Sequence, residues 1–475
     1  MSSPSEEPRT SSADTPPFPR IPWLTQRRLI FFVIAWVSLF AVISVFVSNP
    51  FISHVSSLAP PNYARVMFMH GLLIGMTGLL ALLVVQVLSL QSEHVRTWVT
   101  AGVLAGTLLA TVGGIFNRQM PGSEIALWVQ VLSFFLLDEI ALALLIAMLQ
   151  DFRKRAPIAR TLPFVAAFFA GLSMFGAAVM GHLAGWIVEF KNFPRIIGQY
   201  AQFVGFVEID DFFQALLYSH SREMTVGVMA VGAALLAHQY GYKTLKGAGL
   251  LLGRIGVTMV AVGSFVMTGM YVAMGFTTWE APVVFRPGPG GPGGLMADNL
   301  VTGILVMGGG LITIVALLLG RQIRRPVRLA SAWSWVLSFI TVAAAGYFIG
   351  EHEPLFSGGA ATEGPTPNEI YIWFHEDIGL FMLPMLILIM LAVERFLERG
   401  RPNWIGWTII VGISVVVAGG GVWVFIDPAL YGPGYDVSTA GIVIVALAIL
   451  ATLWWSWRTV TGPPTTGAET RQGGH

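Results

Sequence analysis

The chain has 475 residues, of which 55% are hydrophobic and 11% charged, with a formal net charge of +1 and no cysteine. Soluble domains carry about 25% charged residues, so most of this chain is built to meet lipid or other apolar helices. The absence of a basic stripe on a polar domain gives nucleic-acid binding no support, and the absence of cysteine excludes disulfides, iron–sulfur clusters, thiolate zinc sites and covalent c-type haem attachment.

Residues 1–27 are polar and rich in Pro and Ser, and read as a disordered cytoplasmic tail rather than a signal peptide. A membrane-crossing helix needs about 20 apolar residues. Twelve such stretches follow, over 28–49, 63–90, 96–116, 125–150, 161–189, 211–240, 249–276, 297–320, 328–349, 369–397, 404–426 and 437–457. The expected fold is therefore all-α: a polytopic membrane domain of about twelve transmembrane helices over residues 28–460, closed by a second cytoplasmic tail over 461–475. Loop charge orients it. One side holds Arg153-Lys154-Arg155, Lys243, Lys246, Arg321, Arg324, Arg325, Arg328, Arg395, Arg399 and Arg401. The split is roughly twenty basic residues against six, which puts both termini in the cytoplasm of a bacterial or archaeal plasma membrane. The opposite loops are long and rich in Gly and Pro, as at Arg286-Pro-Gly-Pro-Gly-Gly-Pro, and suit either a lid or a plain connector.

Of nine histidines, His70, His182, His220 and His375 fall inside the predicted spans. Counted from the outer helix ends, all four lie roughly 10–14 Å below the outer surface. Intramembrane ionisable residues are costly and tend to be functional. Four imidazoles in one layer point to haem or metal ligation, with hydrogen-bonded packing or a proton path as the other reading. His70, His220 and His375 recur on spans 2, 6 and 10, each just after an aromatic residue (Phe68, Tyr218, Phe374). That spacing suggests three pseudo-repeated arcs of four helices. Asp138-Glu139 in the middle of span 4 are expensive unless partnered; they form either a proton path or hydrogen bonds to a neighbouring helix.

This layout resembles subunit I of the haem–copper oxidase superfamily, which includes the nitric oxide reductases. The resemblance covers residues 28–457 by topology, and implies twelve helices in three arcs of four with ligands on helices 2, 6, 7 and 10. Phe68-Met69-His70-Gly71-Leu72 is similar to the segment holding a low-spin haem ligand. Leu217-Tyr218-Ser219-His220-Ser221-Arg222-Glu223 resembles the helix that supplies a ligand to the non-haem metal, followed by a glutamate. Glu223 would relay protons or pair with Arg222. On helix 7, Gly269-Met270 stand where the family has two adjacent histidines, leaving His220 and Met270 as the candidate ligands for copper or iron. Helix 10 reads Phe374-His375-Glu376-Asp377, with one imidazole where the family has two. The resemblance thus implies a low-spin haem b held by His70 and His375, with Arg65, Arg222 or Arg286 toward its propionates. His182 is not a family position. In Met180-Gly181-His182-Leu183-Ala184-Gly185 the small residues allow close helix approach or a flat ring against the backbone, and a second haem between His182 and His220 is a further expectation.

The expected function is a haem-binding respiratory membrane protein that takes electrons from a periplasmic cytochrome or a quinol, with a small companion subunit among its partners. If catalytic, it would reduce oxygen or nitric oxide, with Glu223, Asp138 and Glu139 as proton-relay candidates. The rival is a proton-coupled secondary transporter using the same intramembrane His, Glu and Asp residues.

Overall fold

A computed structural model of the chain describes residues 26–47, 63–90, 93–119, 124–154, 162–189, 199, 202, 209–276, 299–344, 373–397 and 403–461. Among the described residues there are twelve helices: α1 (Gln26–Val47), α2 (Tyr63–Val87), α3 (Glu93–Gln119), α4 (Glu124–Lys154), α5 (Leu162–Glu189) and α6 (Ile209–Gln239). The second half holds α7 (Gly247–Phe276), α8 (Asn299–Gly308 continued by Gly309–Leu319), α9 (Pro326–Phe339 continued by Ile340–Ala344) and α10 (Trp373–Met382 continued by Leu383–Leu397). The last two are α11 (Asn403–Gly421 continued by Val422–Ile426) and α12 (Tyr431–Thr461). Seven of them are long and apolar enough to cross a membrane, so the protein is a multi-pass membrane protein. The two predicted tails and the Arg286 loop lie outside the described residues.

α6 has 31 residues, ample length to cross a bilayer. It is not one of the seven, because Ser219-His220-Ser221-Arg222-Glu223 put five polar residues in a row on it. Its second half, from Val226 to Leu236, is nonetheless buried by neighbouring helices. α10 is the most enclosed helix: 94% of its apolar window is buried inside the protein, against 33 to 50% for the other six. A helix sheathed all round by protein can carry polar groups that lipid would not tolerate. α2, α6 and α10 touch one another, and from α1 to α10 each helix packs on the next in the chain, as α11 does on α12.

Small residues set the closest approaches, as membrane bundles require. A Cβ on Gly420 of α11 would come within 2.0 Å of the Phe374 ring on α10, and one on Gly419 within 2.5 Å of the Gly434 carbonyl on α12. The Gly419-Gly420-Gly421 run thus seats α10 and α12 against α11. The first ten residues of α10, Trp373–Met382, are wound as π-helix and give way to α-helix just before Pro384. Proline removes an N–H and crowds the carbonyl four residues back; the wider π turn makes room for that ring.

At one end of the bundle Arg328 of α9 donates to Glu394 of α10 at 2.5 Å and to the Gln322 carbonyl at 3.3 Å. Its guanidinium lies 5.0 Å from the centre of the Tyr240 ring. This cluster ties the ends of α6, α9 and α10 together.

Candidate functional site: the intramembrane imidazoles and their carboxylates

His375 sits in the π-wound start of α10, buried between Phe374 and Asp377, which are buried too. Its Nδ1 lies 3.0 Å from the Thr341 carbonyl on α9. A carbonyl only accepts, so Nδ1 carries the hydrogen and the lone pair of the neutral ring is on Nε2. Thr341 is itself in a π-wound segment, Ile340–Ala344, and Ser338 one turn earlier donates to the Gly379 carbonyl at 2.6 Å. Two irregular segments are therefore cross-braced beside one imidazole, the setting in which π turns commonly occur. The Arg222 guanidinium on α6 is within electrostatic reach of His375.

His220 on α6 faces α5. Its Nδ1 donates to the Ala177 carbonyl at 2.7 Å. Its ring lies against Gly181, where a Cβ would meet Nδ1 and Cε1 at 2.5 Å. The ring beside the small residue next to His182 is that of His220. One turn deeper on α6, Glu223 is fully buried and accepts a hydrogen bond from the Ser173 hydroxyl of α5. Its second carboxylate oxygen is buried with no hydrogen-bond partner among the described residues.

His182 leaves α5 one residue after Gly181, about 100° further round. It meets α4, where its Nε2 lies 2.8 Å from Asp138 Oδ2. The Phe134 and Phe135 rings stand 5.7 and 5.2 Å from the imidazole. His182 and His220 are thus engaged by different helices, α4 and α5. Asp138 lies 14 residues into α4 and His182 seven residues from the end of α5. For these to meet, the start of α4 must project past the end of α5 by about 10 Å at 1.5 Å per residue. Glu139, the next residue, is exposed on the outside of α4.

Met270 is buried in α7 with Met267 and Met274. Among the described residues no group of three or more His, Asp or Glu could hold a metal ion. The side chain of His70 lies outside the described residues, although its backbone belongs to α2.

Ser173 was missed by the sequence reading, and so was the part played by Ala177. The signal was present: Ser173, Ala177, Gly181 and Gly185 repeat a small residue every fourth position, the pattern that lets a second helix approach closely. Set beside known proteins, the chain matches no family model, no curated protein and no solved structure.

Proposed function

We propose that this protein is an electron-transferring membrane protein built like subunit I of the haem–copper oxidases, with a low-spin haem b between His70 and His375. The observation that carries the reading is His375: a buried imidazole on the most enclosed helix, its Nδ1 tied to a backbone carbonyl. That is the support a metal-ligating histidine usually has, because the bond on one nitrogen fixes the orientation and basicity of the other. The mutual contacts of α2, α6 and α10 support the arrangement in three arcs of four. Arg222 is the candidate cation for a propionate. When bound, the haem supplies one-electron redox chemistry. The protein residues hold it, orient it and exclude water from it. With His220 alone and Gly269-Met270 where the family has two histidines, a second metal is not part of the proposal. The donor would be a periplasmic cytochrome or a quinol, with the termini in the cytoplasm.

The test is the visible spectrum of the detergent-purified protein, oxidised and dithionite-reduced, after expression with ample haem. A sharp reduced α-band lost in His70→Ala and in His375→Ala, and kept in His182→Ala, is the expected outcome. Absence of haem in the wild-type protein would overturn it.

A proton-coupled carrier is the second reading, and a separate observation favours it. Ser173–Glu223, Ala177–His220 and His182–Asp138 place four hydrogen-bonded titratable side chains along α5. A carrier would show substrate-driven proton uptake in liposomes that Glu223→Gln abolishes; haem content would be nil.

A further inference from the structure

Asp138 and Glu139 are neighbours on α4 with opposite surroundings. Asp138 turns to His182, whereas Glu139 is exposed on the outer surface of the bundle. The apolar span of α4 runs from Trp128 to Arg153, so Glu139 stands close to its middle. Among the described residues of the seven apolar spans, it is the acidic side chain exposed at mid-depth. Such a group facing hydrocarbon is costly, and lipid offers it no donor.

Its neighbours form a regular seam. Leu132, Phe135, Glu139, Leu142, Ile146 and Leu149 are all exposed and alternate spacings of three and four. A 3.5-residue repeat keeps one stripe of a helix facing a like helix, with a single polar position fixing the register. In a membrane every copy of a chain has the same orientation, so a two-fold axis between two copies runs along the membrane normal. Each residue on that axis then meets its own counterpart at its own depth. A second copy is therefore the partner certain to bring a matching group to Glu139. Two carboxylic acids there hydrogen-bond to each other as a neutral pair, each O–H donating to the other's carbonyl oxygen, which leaves no charge in the apolar layer.

We propose that α4 is the two-fold seam of a homodimer, with Glu139 paired to Glu139 of the second copy at mid-membrane. The native chain has no cysteine, so single cysteines report contacts without background. Leu142→Cys and Phe135→Cys on α4 are compared, in native-like bilayers with a lipophilic oxidant, with the mid-depth controls Val411→Cys on α11 and Leu447→Cys on α12. The expected result is disulfide-linked dimer from the α4 positions in at least about tenfold excess over the controls, as an intramolecular-like local concentration requires. Particle mass in nanodiscs supplies the second readout: Glu139→Gln, which keeps a hydrogen-bonding pair, stays dimeric, and Glu139→Leu shifts to monomer. Equal cross-linking at all four positions, or a fully dimeric Glu139→Leu, overturns the proposal. So does a co-purifying small membrane protein cross-linked to Leu142→Cys in place of the second copy.

Discussion

Replacing Gly181 by alanine tests the contact on which the α5–α6 site is built. The new methyl would meet the His220 ring at 2.5 Å, where ordinary contact begins near 3.4 Å. The ring must yield by about 1 Å, yet its Nδ1 is held to the Ala177 carbonyl at 2.7 Å. Overpacking of a filled site costs about 1–3 kcal/mol, and a hydrogen bond between membrane helices is worth about 0.6–2 kcal/mol. Together these give about 2–5 kcal/mol, or roughly a thirtyfold to five-thousandfold shift in the folded-to-unfolded ratio. Gly185, one helical turn on, is the matched control: nothing lies within 4 Å of a Cβ there. Alanine at 185 should be neutral or stabilising by up to about 1 kcal/mol through helix propensity. The assay is thermal unfolding in one detergent, with the His220 imidazole ¹⁵N shifts recorded for both variants. Gly181→Ala should melt well below wild type and move the His220 signals; Gly185→Ala should do neither. Equal melting temperatures for the two variants, or unmoved His220 resonances in Gly181→Ala, would refute the packing argument.

Gly420→Ala should press a methyl into Phe374, which a Cβ would meet at 2.0 Å, and destabilise the protein by about 1–3 kcal/mol; Gly432→Ala, with open space around it, should not, by the same melting assay. Arg328→Ala strips the buried Glu394 of its cation and should cost about 3–5 kcal/mol, with Glu394→Gln in the same background recovering most of the loss. A double-mutant cycle on Ser173→Ala and Glu223→Ala should return a coupling of about 0.6–1.7 kcal/mol, the range for intramembrane side-chain hydrogen bonds. A coupling of zero would mean that the two side chains do not meet.

The helices were legible because lipid imposes one rule along the chain: apolar stretches of sufficient length, broken by polar turns. The predicted spans 211–240, 249–276 and 404–426 fall within two residues of Ile209–Gln239, Gly247–Phe276 and Asn403–Ile426. Where a helix continues into polar sequence the rule stops helping: the last span was predicted over 437–457, and the helix runs from Tyr431 to Thr461. The π-wound starts of α8 and α10 had no sequence signal beyond Pro384, since π and α winding share the same composition.

The residues of the site were legible as types and illegible as pairs. His182, His220, His375, Asp138 and Glu223 stand out because ionisable groups are rare in apolar spans. Depth counted along single helices put the four histidines in one layer. The same count says nothing of how α4 and α5 are staggered, and that stagger brings Asp138 to His182. Pairing with Arg222 was one of two readings of Glu223, beside proton relay, but adjacent residues on a helix point about 100° apart. The hydrogen bond comes from Ser173 across the interface. What decides these pairings is the face on which each helix is narrow. On α5 that face is written every fourth residue, Ser173, Ala177, Gly181, and it draws α6 close enough for His220 to reach backbone and Glu223 to reach hydroxyl. The next residue, His182, falls off that face and is left to α4. One register of small residues therefore sorts α5's polar contacts into two sets, and shifting it by a single position would exchange them.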